Sequence, residues 1–103
     1  MHLSSTGCKS DPTKGVVTAC TNPNRMDFSF AAFNASTQKI VLDLAELFKN
    51  SNLSYEGDGA TGCMSGTTDP ECAGIFQALQ IDLTNGLPIN GGAAQKVFAV
   101  KAK

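Results

Sequence analysis

This sequence predicts a mainly β protein: one antiparallel, sandwich-like domain over residues 1–103, short of strands, with two short helices and disulfide-tied loops. Three observations carry that reading. Apolar and polar residues alternate over Met26–Ala31, the period of a half-buried strand, and Gln95–Lys101 reads as a closing strand with Phe98 and Val100 on one face and Val97 and Ala99 on the other. Two short stretches change to the i, i+3, i+4 spacing of a helix. Four cysteines bracket two loops rich in Gly, Pro, Ser, Thr and Asp.

Residues 1–25 are polar and turn-rich, with Val16, Val17 and Ala19 as one short strand and Thr21-Asn22-Pro23-Asn24 as a turn. Met26, Phe28 and Phe30 would share the buried face of the next strand. Asn34-Ala35-Ser36-Thr37 would turn it into Lys39–Asp43, making a hairpin. Leu44, Leu47 and Phe48 then mark a helix of about two turns, capped by Asp43 and ending near Asn50. Residues 51–69 read as a long connection with Leu53 and Tyr55 as apolar anchors. The second helix spans 70–79: Asp69 is the N-cap, Pro70 takes the first position and Ile75, Phe76 and Leu79 face inward. Ile81 and Leu83 begin an extended segment, Asn85–Gly92 is a loop, and Gln95–Lys101 is the closing strand. So few strands barely close a sandwich, and strands from elsewhere are expected to cover the edges.

The spacings Cys8-x11-Cys20 and Cys63-x8-Cys72 are separated by 42 residues. Of the three pairings open to four cysteines, the two local ones are favoured, Cys8–Cys20 and Cys63–Cys72. Loops of about 10–13 residues give roughly 2.5–3 kcal/mol per bridge in the chain-entropy model. Such bridges imply an oxidising compartment. A four-thiolate zinc site is the alternative, but neither pair has the close C-x2-C spacing that structural zinc favours.

The net charge of −1 provides no basic footprint for nucleic acid or an anionic membrane. No apolar run approaches the ~18 residues of a membrane span. The start carries neither the basic nor the apolar part of a signal peptide, so the sequence reads as a processed chain or a fragment. Gly57–Gly62 matches G-x-G-x-x-G, yet no βαβ unit surrounds it, and a flexible loop is the better reading. Ser65 is no nucleophile elbow, because Cys63 stands where G-x-S-x-G needs glycine. A single histidine also leaves hydrolase chemistry without a clear base. Asn34-Ala35-Ser36 and Asn52-Leu53-Ser54 are sequons of a kind that arises often by chance. His2 is either a metal ligand or a frayed terminal residue, and Met26 and Met64 are soft candidate partners for Cu(I) or simple packing residues.

His2-Leu3-Ser4-Ser5-Thr6-Gly7-Cys8 resembles the H-L-G-S-T-G-C segment of the MbnP-like copper-binding family. That family is associated with methanobactin operons and with copper-repressible surface proteins of methane-oxidising bacteria. The order continues through Cys20, Asn22-Pro23-Asn24-Arg25, Val41-Leu42-Asp43-Leu44, Gly62-Cys63-Met64-Ser65 and Asp69-Pro70-Glu71-Cys72, and closes near Gln95 and Val97-Phe98. Ser4 stands where the family has glycine.

The resemblance spans nearly the whole chain but covers only the C-terminal half of the family's domain. It implies a β-sandwich-like fold, a periplasmic or cell-surface location and a non-catalytic role in Cu(I) binding, storage or delivery. The family's upstream half carries another histidine and a tryptophan that a partner diheme enzyme of the MauG type oxidises to kynurenine. This sequence has no tryptophan, and His2 is the one metal position that carries over. Cu(I) needs at least two soft or imidazole ligands. Tight copper binding is therefore expected to need an upstream N-terminal polypeptide. The alternative is a structural or interaction module of a cell-surface or periplasmic assembly that holds no metal, with its sheet edges and tied loops docking a partner.

Overall fold

The computed structural model describes residues 1–55, 57 and 59–103. The G-x-G-x-x-G match includes Asp58, which lies outside the described residues. Six elements follow in order: β1 (Thr6–Asp11), β2 (Val16–Asn22), β3 (Gln38–Leu42), α1 (Leu44–Phe48), α2 (Ala73–Leu79) and β4 (Phe98–Ala102). They form two separate two-stranded antiparallel sheets, β1–β2 and β3–β4. The mainly β class, the two short helices and both local disulfides agree with the sequence reading.

β1 and β2 make a hairpin whose turn is built by Asp11. Its carbonyl accepts from the Lys14 and Gly15 amides, and its carboxylate accepts from the Thr13 hydroxyl and amide. Those bonds, the Thr13 hydroxyl first, hold the Asp11 carboxyl below the usual carboxylate range. Cys8 lies directly opposite Cys20 in the ladder, so the bridge crosses the hairpin. Both faces are largely solvent-exposed, including Val16 and Val17. That exposure explains why β1 left no alternating pattern to read in the sequence.

Met26–Ala31 does not form a strand, and its hairpin with β3 is absent. β4 takes the place beside β3, pairing Leu42 with Phe98 and Gln38 with Ala102. The aromatic alternation still has a use: Phe28 stacks on Phe98 with centroids 4.7 Å apart, and Phe30 packs against Phe28. The ladder runs on into the first helix through the Asp43 amide, which donates to the Val97 carbonyl over 2.7 Å.

Asp43 caps α1 as expected, its Oδ1 accepting from the amides of Ala45 and Glu46. A five-residue helix is marginal alone and rests on this cap and on the packing of Leu47 against α2. Asp43→Ala should lower stability by about 1 kcal/mol in urea denaturation; an unchanged midpoint would show the cap to be idle. α2 crosses the end of α1 at Gly74, where a Cβ would sit 2.4 Å from the Asn50 carbonyl oxygen.

α2 begins at Ala73 rather than at Pro70. Asp69 still supplies cap chemistry one turn early: its Oδ1 accepts from the Glu71 amide, and the Cys72 amide donates to its carbonyl. Ile81 forms only a single bridge, to Pro88, and Ile89–Gly92 is a short 3-10 turn inside the expected loop. Leu53 and Tyr55 are no anchors: they stay 74 % and 50 % exposed.

The core is Leu47, Cys63, Cys72, Ile75, Phe76, Ala78, Leu79, Ile81 and Val97, rimmed by Met26, Phe48, Leu83 and Phe98. It lies between the helices and the second disulfide, with the strands at its periphery. The radius of gyration, 15.8 Å, exceeds the ~13 Å of a compact domain of this length.

Candidate metal centre

The segment before β1 is strapped to the second disulfide loop. The His2 amide donates to the Cys63 carbonyl over 2.8 Å, and the His2 carbonyl accepts from the Ser65 hydroxyl over 2.5 Å. That same Ser65 oxygen accepts from the Ser4 amide at 2.8 Å. From the other side, Asn24 Nδ2 donates to the Ser4 carbonyl and Ser5 Oγ to the Pro23 carbonyl. Asn22, where β2 ends, donates its side-chain amide to the Thr84 carbonyl. The Asn22-Pro23-Asn24 turn thus welds the first hairpin to residues 4–5 and to the 82–86 turn, and both asparagines are buried.

The loop that receives His2 is itself rigidly held. Asp69 Oδ2 accepts from the Met64 amide at 2.8 Å, and both Glu71 oxygens accept from the Gly62 amide at 3.2 Å. Cys63, Ser65 and Cys72 are essentially fully buried. Ser65 has φ +65°, a conformation that costs a serine energy and turns its hydroxyl to the strap. Ser65→Ala should destabilise by about 1–3 kcal/mol, because it removes two part-buried hydrogen bonds, to the Ser4 amide and the His2 carbonyl, each contributing about 0.5–1.5 kcal/mol. It should also speed hydrogen exchange at the Ser4 amide; unchanged exchange would mean that the strap is held without the hydroxyl.

His2 is exposed while its backbone is fixed, which leaves the imidazole at the surface beside the Cys63–Cys72 loop. Met64 follows the carbonyl that holds His2 and is 41 % exposed, whereas Met26 packs at the core rim. Cys8–Cys20 acts at a remove, through β1 and the Asn24 contact. The sulfurs of Cys63 and Cys72 converge with an Asp69 oxygen, all within 4.8 Å. In the oxidised chain those sulfurs are bonded to each other, and all four cysteines are paired, so the four-thiolate zinc alternative falls away. Ser65, Asn22 and Asn24 escaped the sequence reading as functional parts; nothing in their local pattern signals a long-range hydrogen bond.

Two antiparallel ribbons, two short helices and a terminal strap on a disulfide loop define a disulfide-pinned, mainly β protein. The solved structure of MbnP from Methylosinus trichosporium matches it with a TM-score of 0.84 and 36% sequence identity, over 99% of this chain. The likeness to MbnP runs along nearly the whole of this chain, which spans 38% of the length of that protein. No protein-family model matches the chain, and no curated protein sequence does.

Proposed function

We propose that this chain is the C-terminal half of an exported, non-catalytic copper-binding domain, with His2 donating one imidazole nitrogen to Cu(I). The observation that carries the reading is the fixed backbone at His2, held at its amide by Cys63 and at its carbonyl by Ser65, beneath an exposed ring. Such pre-positioning lowers the ordering cost of ligation. The motif likeness to the copper-binding family and the 36% identity to MbnP support it. The open shape and uncovered apolar residues support a second, upstream polypeptide that completes the domain and supplies further ligands. A MauG-type diheme enzyme is the proposed protein partner of the completed domain. Paired cysteines support a periplasmic or cell-surface location, and no helix among the described residues is long and apolar enough to cross a membrane.

The test is Cu(I) competition with a chromophoric chelator on the complete protein. His2→Ala should weaken binding by about tenfold or more, the scale on which even supporting residues act. Unchanged affinity removes His2 from the site.

A metal-free interaction module is the second reading. Ile40 and Leu42 are 47 % and 49 % exposed on one face of β3, in a ribbon that buries little by itself. A copper-free complex docked on that face would favour it.

A further inference from the structure

We propose that reduction of the Cys63–Cys72 bridge uncovers a zinc site made of two thiolates and one carboxylate, Cys63, Cys72 and Asp69. The three donor atoms already lie within 4.8 Å of one another. Zinc accepts this mixed sulfur and oxygen set and leaves a fourth position for water.

Two further features prepare the site. The Ser65 amide points at Cys63 Sγ, 3.5 Å away, so a backbone donor of the same loop already faces one of the two sulfurs. The loop is also held by bonds that do not involve the bridge. Asp69 joins Met64 to Glu71, Glu71 holds Gly62, and Ser65 holds residues 2 and 4. Both sulfurs are buried, so reduction requires the loop to open, and these bonds bring the two thiols back together afterwards.

The step balances with a dithiol reductant. Its two thiols give up two electrons and two protons and become a disulfide, while the Cys63–Cys72 bond breaks to two thiols. Zinc binding then releases both protons. Cu(I) would use the two sulfurs and ignore the harder carboxylate, so the response to Asp69 separates the two metals.

The experiment is a zinc titration against a chromophoric chelator, followed by circular dichroism, on phosphine-reduced and oxidised protein. It is run on the native chain and on a Cys8→Ser/Cys20→Ser variant that keeps only the second pair. One zinc should bind each reduced chain of the variant and none the oxidised chain. Asp69→Asn should weaken the site by about tenfold or more. In the native chain, Cys63→Ser should abolish the zinc that survives the same change at Cys8. His2→Ala should leave zinc binding unchanged, so this site stands or falls apart from the copper reading. Zinc on the oxidised chain, or an Asp69→Asn titration equal to the parent, would overturn the proposal. So would a reduced native chain that neither binds zinc nor regains its fold when zinc is added.

Discussion

Replacing Cys63 and Cys72 together by alanine is expected to cost the fold about 3–5 kcal/mol, more than the same change at Cys8 and Cys20. The two loops are alike in length, with separations of 9 and 12 residues, so the chain-entropy contributions are similar at roughly 2.5–3 kcal/mol each. Their surroundings differ. Cys63 and Cys72 are 1 % and 0 % exposed and sit in the core beside Ile75 and Phe76. Cys8 and Cys20 lie in a hairpin with solvent on both faces, whose turn is already closed by Asp11. Truncating the buried pair therefore adds a packing defect to the entropic loss. Urea denaturation of the two double-alanine proteins measures the gap. Equal losses would show that the second bridge acts through chain entropy alone.

That asymmetry was not legible in the sequence, although the pairing was. Turn-forming residues between each cysteine pair are a local signal, and so is the Asp43 cap ahead of Leu44, Leu47 and Phe48. What depended on partners far along the chain went unread. Met26, Phe28 and Phe30 have the period of a strand, but the backbone beside β3 is taken by β4, from more than fifty residues later. Periodicity reports which face is buried and says nothing of which backbone pairs. The shift in α2 has a similar cause. Asp69-Pro70-Glu71 carries the composition of a helix start, yet Asp69 also reaches across the loop to Met64, and Cys72 is tied to Cys63. Those ties hold residues 69–72 in a turn before the helix proceeds.

The candidate site divides along the same line. His2 stood out as a lone imidazole near a cysteine, and the cysteines as a framework. Ser65 did not: its left-handed backbone and its two bonds to residues 2 and 4 arise only when the strap and the loop meet. The strap makes the second disulfide a positional element for His2. Losing the bridge should therefore loosen residues 2–4 as well as the core, and amide exchange at Ser4 reports both.

The other large expected effect lies at Gly92. Asn90, Gly91 and Gly92 all have positive φ, at +47°, +60° and +73°. For alanine such a backbone costs roughly 1–2 kcal/mol by itself. At Gly92 a Cβ would also fall 1.6 Å from the Asp27 carbonyl oxygen and 2.7 Å from its carbon, so one of two backbones must move. Forced displacement of packed structure adds about 1–3 kcal/mol. Gly91 is the internal control, because a Cβ there meets nothing within 4 Å. Gly91→Ala should lose only the conformational cost, and Gly92→Ala about 2–5 kcal/mol in all. The displaced segment is the one that sets Phe28 on Phe98, so the ring-current shifts of that stack should collapse in Gly92→Ala and survive in Gly91→Ala. Equal stabilities, or an intact stack in both, would mean that the close crossing of residues 27 and 92 does not hold the aromatic cover on β4.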